Sequence, residues 1–223
     1  MKGKPYQELV GSLMYASLGT CPDIAFAVQT LSQFMKNPSI AHWDEAVRCL
    51  RYLKGTRELW LTYGGGKKEL VGYGNADGSM ADDCYTISRY VFLLHSGMVL
   101  WSAKRQEIIA LSTTEAEYVV TTHTAKEALW LCFLITQLFN MKLPPTTLFS
   151  DNQLAIALSK DHQYHARTKH IDVQFHFICY TIEQGSLHLV YCLTDDMVAD
   201  ILTKALPSAK VKHFASELGL TLV

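Results

Sequence analysis

Along the first 56 residues, apolar positions recur at the spacing of amphipathic helices. Tyr6, Leu9, Val10, Leu13 and Met14 make one stripe. Ile24, Val28, Leu31, Phe34 and Met35 make a second, and Trp43, Ala46, Val47, Leu50 and Leu53 a third. Asn37-Pro38 separates the last two, because proline disfavours helical backbone in the residue before it. Gly55 is placed to end the third. Three such helices predict a small bundle. The period then changes. Leu59 to Tyr63 is a β-type run, followed by the turn or linker signal Gly64-Gly65-Gly66-Lys67-Lys68. Leu70 to Tyr73, Tyr90 to Leu94 and Met98 to Trp101 read as strands, the last two joined as a hairpin across His95-Ser96-Gly97. Ile108 to Leu111 is a short extension of the third strand. Ser112 to Asn140 reads as a long helix stopped by Pro144-Pro145. Thr146 to Ser150 follows as a strand, Asn152 to Ser159 as a short helix, Lys169 to Glu183 as a helix, Leu187 to Cys192 as a strand and Asp195 to Leu206 as a helix. Trp43, Trp60, Trp101 and Trp130 sit in apolar patterns and are expected in the core.

From residue 69 the order is β β β α β α α β α. An antiparallel meander followed by alternating helices and strands predicts an α/β fold, a mixed sheet with helices on its faces. Ligand sites in such sheets form at the carboxyl ends of central strands where the winding reverses. Two acidic residues fall there: Asp77, after the first strand, and Asp151, after the first strand that follows the long helix.

Composition narrows the classes. The formal net charge is −1, so affinity for nucleic acid must come from a local basic cluster or from metal ions. Apolar residues make up 49 % of the 223, enough for a real core. The 6 cysteines are scattered and form no CxxC pair, which argues against zinc and against a disulfide framework. An intracellular setting is expected, cytoplasmic or nuclear and not secreted. No signal peptide is read, and no apolar run approaches the ~20 residues of a membrane span.

Each acidic candidate has an ordinary explanation. Asp77 precedes Gly78-Ser79 and suits a turn. Asp151 suits a helix N-cap. In Ser112-Thr113-Thr114-Glu115-Ala116-Glu117, Ser112 and Glu115 have capping-box spacing. Glu117, about 200° further round the helix, is left for a salt bridge or another task. Asp200 lies among apolar residues in Val198-Ala199-Asp200-Ile201-Leu202, while Asp195 and Asp196 stand where a helix dipole favours them. Together, though, the sheet would gather Asp77, Glu117 and Asp151. Crowded carboxylates repel unless one is protonated or a cation sits among them. Oxygen-only donors suit magnesium or manganese. Two such ions about 4 Å apart can activate a water and stabilise the leaving oxygen of a phosphodiester.

Six ordered segments carry a family resemblance: Tyr6-Gln7-Glu8-Leu9-Val10-Gly11-Ser12-Leu13-Met14-Tyr15, Arg51-Tyr52-Leu53-Lys54-Gly55-Thr56, Leu111-Ser112-Thr113-Thr114-Glu115-Ala116-Glu117-Tyr118, Asp151-Asn152-Gln153, Thr168-Lys169-His170-Ile171-Asp172 and Ala199-Asp200-Ile201-Leu202-Thr203-Lys204. The chain resembles the C-terminal part of Copia-type LTR-retrotransposon Pol polyproteins over nearly its whole length. The resemblance implies a helical reverse transcriptase thumb or connection segment over 1–62. It implies a ribonuclease H domain with a five-stranded sheet over 69–206, and a C-terminal helix or tail over 207–223. It implies Asp77, Glu117, Asp151 and Asp200 as catalytic metal ligands for magnesium or manganese, two ions in all. The substrate implied is the RNA strand of an RNA–DNA hybrid. The missing reverse transcriptase palm and fingers are an implied partner, since no Tyr-x-Asp-Asp turn occurs here.

The chain departs from that pattern in two places. The family usually has Asp at Asn75, with the second carboxylate of the pair, Asp77, as the expected ligand. It usually has Arg-Arg-Ser-Thr-Ser-Gly where Cys84-Tyr85-Thr86-Ile87-Ser88-Arg89 stands. That run loses two positive charges and puts Arg89 on a strand glycine, a residue that often marks close backbone approach. Lys160, Arg167, Lys169 and His170, with His165, cluster after the fourth strand. They are either a solvated basic face or phosphate contacts to the hybrid. Three readings therefore stand: a metal-dependent ribonuclease H, a catalytically inert retroelement remnant that binds nucleic acid or a partner polymerase, or, consistent with the near-neutral charge, a structural or regulatory module with no nucleic-acid role.

Overall fold

The three N-terminal stripes become helices α1 (Tyr6–Gly19), α2 (Ala25–Ser32) and α3 (Ile40–Gly55), with a 3-10 turn over Pro22–Ile24 leading into α2. The computed structural model describes residues 3–64, 69–76, 86–106, 110, 112–160 and 172–222, with side chains excepted at Arg105, 158–160 and 172–175. Tyr6, Val10, Leu13, Ile24, Val28, Leu31, Ala46 and Cys49 bury one another between the helices. Each large apolar side chain so buried contributes about 1.5–3 kcal/mol. The Tyr6 hydroxyl donates to the Leu31 carbonyl at 2.8 Å, satisfying the one polar atom it carries inward. A reciprocal cap starts α3. Ser39 Oγ accepts from the His42 N–H at 3.4 Å, and His42 Nδ1 accepts from the Ser39 N–H at 3.0 Å.

After the short strand β1 (Leu59–Leu61) come β2 (Val71–Ala76), β3 (Ile87–Leu94) and β4 (Gly97–Arg105), then α4 (Thr113–Phe139), β5 (Thr146–Ser150), α5 (Gln153–Lys160), α6 (Asp172–Glu183) and β6 (Leu187–Tyr191). The main sheet has five strands in the order β4-β3-β2-β5-β6. β2–β3 and β3–β4 are antiparallel, β2–β5 and β5–β6 parallel. This is the mixed, helix-flanked α/β sheet expected from the sequence. His95 and Ser96 make the hairpin turn with φ of 53° and 62°, the left-handed pair whose twist matches that of the strands.

Alternation divides the two cores. Phe92, Leu148, Leu187 and Leu189 pack against α4, α5 and α6. Val91, Leu93, Tyr73 and Phe149 pack on the opposite side against residues 197–202 and helix α7 (Ser208–Glu217). Strand β2 can lie against α4 because Gly74 has no side chain. A Cβ there would stand 2.7 Å from Thr124 Oγ1 and 3.2 Å from Val120 Cγ1. Gly74→Val is therefore expected to destabilise the chain by roughly 1–3 kcal/mol through overpacking. Urea denaturation measures it, and an unchanged midpoint would mean that α4 is free to move away.

Several expectations are corrected. The helix expected over Asp195 to Leu206 is instead two 3-10 segments, Thr194–Asp196 and Val198–Leu202. Residues 197–202 are buried, and Met197, with φ −74° and ψ 92°, is extended and breaks the run between the two segments. The C-terminal residues form α7 and then a strand. Strand β7 (Leu220–Leu222) pairs antiparallel with β1, Leu59 opposite Leu222. Trp60 and Trp130 lie half in solvent, on the outer faces of β1 and α4, although Trp101 is partly buried and donates from Nε1 to the Ser17 carbonyl at 2.8 Å. Residues 65–68 of the expected linker, and 107–109 and 111 of the expected strand extension, lie outside the described residues. Among the described residues no helix is long and apolar enough to cross a membrane.

Candidate functional site

Strands β2 and β5 run parallel, so their carboxyl ends lie side by side. Asp151 follows the last residue of β5. The cap that would have explained it belongs to its neighbour. Asn152 Oδ1 accepts the Ala155 N–H at 3.0 Å, the bond that starts α5. Asp151 is half-buried, and its Oδ2 accepts from Thr194 Oγ1 at 3.3 Å.

Glu117 reaches the same place from the other side of the sheet. The start of α4 is fixed by Ser112, whose Oγ accepts the Glu115 N–H at 3.1 Å. Gln106 Nε2 ties that turn to the sheet, donating to the Ala116 carbonyl and to Ser88 Oγ, each at 3.0 Å. Glu115 is buried as well, so its position near the cap does not leave it in solvent. Glu117 Oε1 accepts the backbone N–H of Ala76, at the end of β2, at 3.1 Å. Its Oε2 is buried with no hydrogen-bond partner among the described residues. Burial pushes the Glu117 carboxyl up to about 8. The Ala76 bond opposes that shift, and so does Lys204, while the charges of Asp151 and Asp200 add to it. Without a cation, Glu117 thus keeps its proton at neutral pH.

Asp200, 1 % exposed, enters on the 3-10 segment. Both of its oxygens are engaged. Oδ1 accepts from Asn75 Nδ2 at 2.5 Å and from Thr203 Oγ1 at 3.1 Å, and Oδ2 accepts from Lys204 Nζ at 3.0 Å.

The structure therefore brings Glu117, Asp151 and Asp200 within electrostatic reach of one another. Asp77, Arg167, Lys169, His170 and His165 lie outside the described residues, as does the side chain of Lys160, the last residue of α5. Two residues enter the site that were not counted among its groups. Asn75 was noted only as a departure, yet in β2 Val71, Tyr73 and Asn75 share a face, which here is the face of Asp200. Lys204 is four residues beyond Asp200, and i,i+4 spacing alone would have paired them.

Oxygen-only donors suit magnesium or manganese, and the orphaned Glu117 Oε2 is a donor such an ion would satisfy. The arrangement fits less well than the chemistry. Asp200 already accepts three hydrogen bonds, and among the described residues no three His, Cys, Asp or Glu side chains are grouped to hold one ion.

No model of a known protein family matches the chain. It is 42 % identical, over 97 % of its length, to the retrovirus-related Pol polyprotein from transposon TNT 1-94 of Nicotiana tabacum. It is 37 % identical, over 98 %, to that from transposon RE1 of Arabidopsis thaliana. The chain spans only 16 % and 15 % of those two polyproteins. A solved structure, LC11-RNase H1, matches 61 % of the chain and 93 % of its own length at 16 % identity and a TM-score of 0.45, too loose a likeness to decide anything about the site.

Proposed function

Because the chain belongs to the copia-type retrotransposon Pol polyproteins and carries an RNase H-like domain, we propose that it acts on the RNA strand of RNA–DNA hybrids, by hydrolysis assisted by divalent ions. The observation that supports this most is that Asp151 follows the last residue of β5, beside the end of β2 where the Ala76 N–H holds Glu117, with Asp151 and Asp200 within electrostatic reach of that carboxyl. Asp77, two residues past Asn75, is the fourth expected ligand. Magnesium or manganese bound there would activate a water and stabilise the leaving oxygen. The chain's own groups do the placing. The Ala76 N–H orients Glu117, Asn152 takes the cap and leaves Asp151 available, and Thr203 holds Asp200. Lys160, Arg167, Lys169 and His170 are proposed to meet phosphates, with affinity that falls as salt rises. The palm and fingers of a reverse transcriptase are the proposed protein partner, inside the cell.

A second reading, hybrid binding without cleavage, is favoured by one observation: Asn75 and Lys204 occupy both oxygens of Asp200. Incubation of the full chain with an end-labelled hybrid, over a series of magnesium and manganese concentrations, separates the two. Cutting of the RNA strand alone, increasing with metal, is the expected result. Hybrid binding with no cutting at any metal concentration would establish the second reading, and absence of hybrid binding would end both.

A further inference from the structure

We propose that Asn75 and Lys204 close Asp200 to divalent cations, so that this chain binds metal weakly and a carboxylate at position 75 would open the site. This rests on the carboxylate reading above and specifies which residues limit it.

Asn75 is 3 % exposed and points a donor, not an oxygen, at Asp200. An N–H aimed at Oδ1 occupies the lone pair a cation would use. The Lys204 ammonium occupies Oδ2 and already supplies a positive charge. A cation arriving at Oδ1 meets the hydrogen bonds that Asn75 and Thr203 already make there, and one arriving at Oδ2 competes with the Lys204 ammonium, at a carboxylate that is 1 % exposed. A further positive charge stands close by. Arg89, 1 % exposed, lies directly opposite Asn75 in the β2–β3 register, so the two share a face of the sheet. Its guanidinium packs 6.0 Å from the Phe26 ring centroid. The buried oxygen in the set with no partner among the described residues is Glu117 Oε2.

Aspartate is nearly the same size as asparagine. At position 75 it would replace a donor with two acceptors and add a negative charge beside Asp200. Two adjacent carboxylates need a proton or a cation between them. Asn75→Asp thus removes one closing bond and creates the demand for an ion in a single step.

The test titrates manganese into the native full chain and into Asn75→Asp, reading free ion by electron paramagnetic resonance. Thermal unfolding is followed with and without magnesium. Asn75→Asp is expected to bind manganese about tenfold tighter or more, and to gain a magnesium-dependent rise in unfolding temperature that the native chain lacks. Native affinity equal to that of Asn75→Asp would overturn the proposal. If Asn75→Asp does not unfold cooperatively, Lys204→Met serves. It frees Oδ2 without touching β2, and it should strengthen manganese binding several-fold; no gain would overturn the proposal. Hybrid binding measured in parallel without metal keeps the two claims apart. Its loss counts against the functional reading alone, and an unchanged manganese affinity counts against the closure of Asp200 alone.

Discussion

In the Asn75→Asp background, replacing Asp151 with asparagine is expected to lower hybrid cleavage by ~10²-fold or more while hybrid binding stays unchanged. Asp151 is the most accessible of the three carboxylates and the least committed, with one 3.3 Å bond from Thr194. Asparagine keeps its size and can still accept that bond through its carbonyl oxygen, so the fold at the end of β5 should persist. The α5 cap is unaffected, because Asn152 makes it. What is lost is the negative charge that a metal-bound state needs. Cleavage of a labelled hybrid gives the rate, and a filter or anisotropy assay gives binding. Undiminished cleavage would remove Asp151 from the chemistry. Equal loss of binding and cleavage would make it a substrate contact instead.

The metal-free chain is expected to lose stability as pH rises from about 5 to 8. The Glu117 carboxyl has an ordinary value of 4.5 when exposed and is raised to about 8 in the folded chain. Between those limits the folded state holds a proton that the unfolded state has released. Unfolding then gives off a proton, and stability falls with pH by at most about 1.4 kcal/mol per unit. Below the lower limit both states are protonated and above the upper limit both are ionised, so the contribution levels off on either side. Asp23, raised by burial although the Tyr52 hydroxyl donates to it at 2.7 Å, adds a slope of the same sign. Glu117→Gln keeps the shape and removes the titration. It should flatten most of the slope and stabilise the chain at pH 8 by a few kcal/mol, with little change at pH 5. Urea denaturation at three pH values measures this. A slope equal to that of the native chain would place the titrating group elsewhere.

The same two carboxylates show how far the residues could be read directly. Asp151 and Asn152 are adjacent, and either could cap a helix; their order in the chain does not say which does. The structure gives the cap to Asn152 because its carbonyl reaches the Ala155 N–H. Helical geometry set Glu115 and Glu117 on different sides of the axis, and the Ser112 cap meets the Glu115 N–H as its spacing suggested. That geometry did not show that both would be buried, which depends on the sheet lying beneath the helix. The segment around Asp200 has the apolar spacing of a helix, but Met197, with extended backbone, interrupts it and the residues after it are 3-10.

By itself the sequence determined the period of each element, and with it the three helices, the meander, the strands after α4 and the α/β class. Periodicity is local, and side chains three, four or two positions apart decide it. It also determined which carboxylates were present and, through six motifs, the family. Only the tertiary structure decided what those carboxylates touch. Asn75 and Asp200 are 125 residues apart and bonded, and Ala76 and Glu117 are 41 apart and bonded. No local pattern encodes such pairs; they follow from the strand order that sets β2 beside β5 and from the tight packing that Gly74 allows. The charge balance of the site arises in the same way, because burial and neighbours brought together by the fold, rather than residue type, set how tightly each group holds its proton.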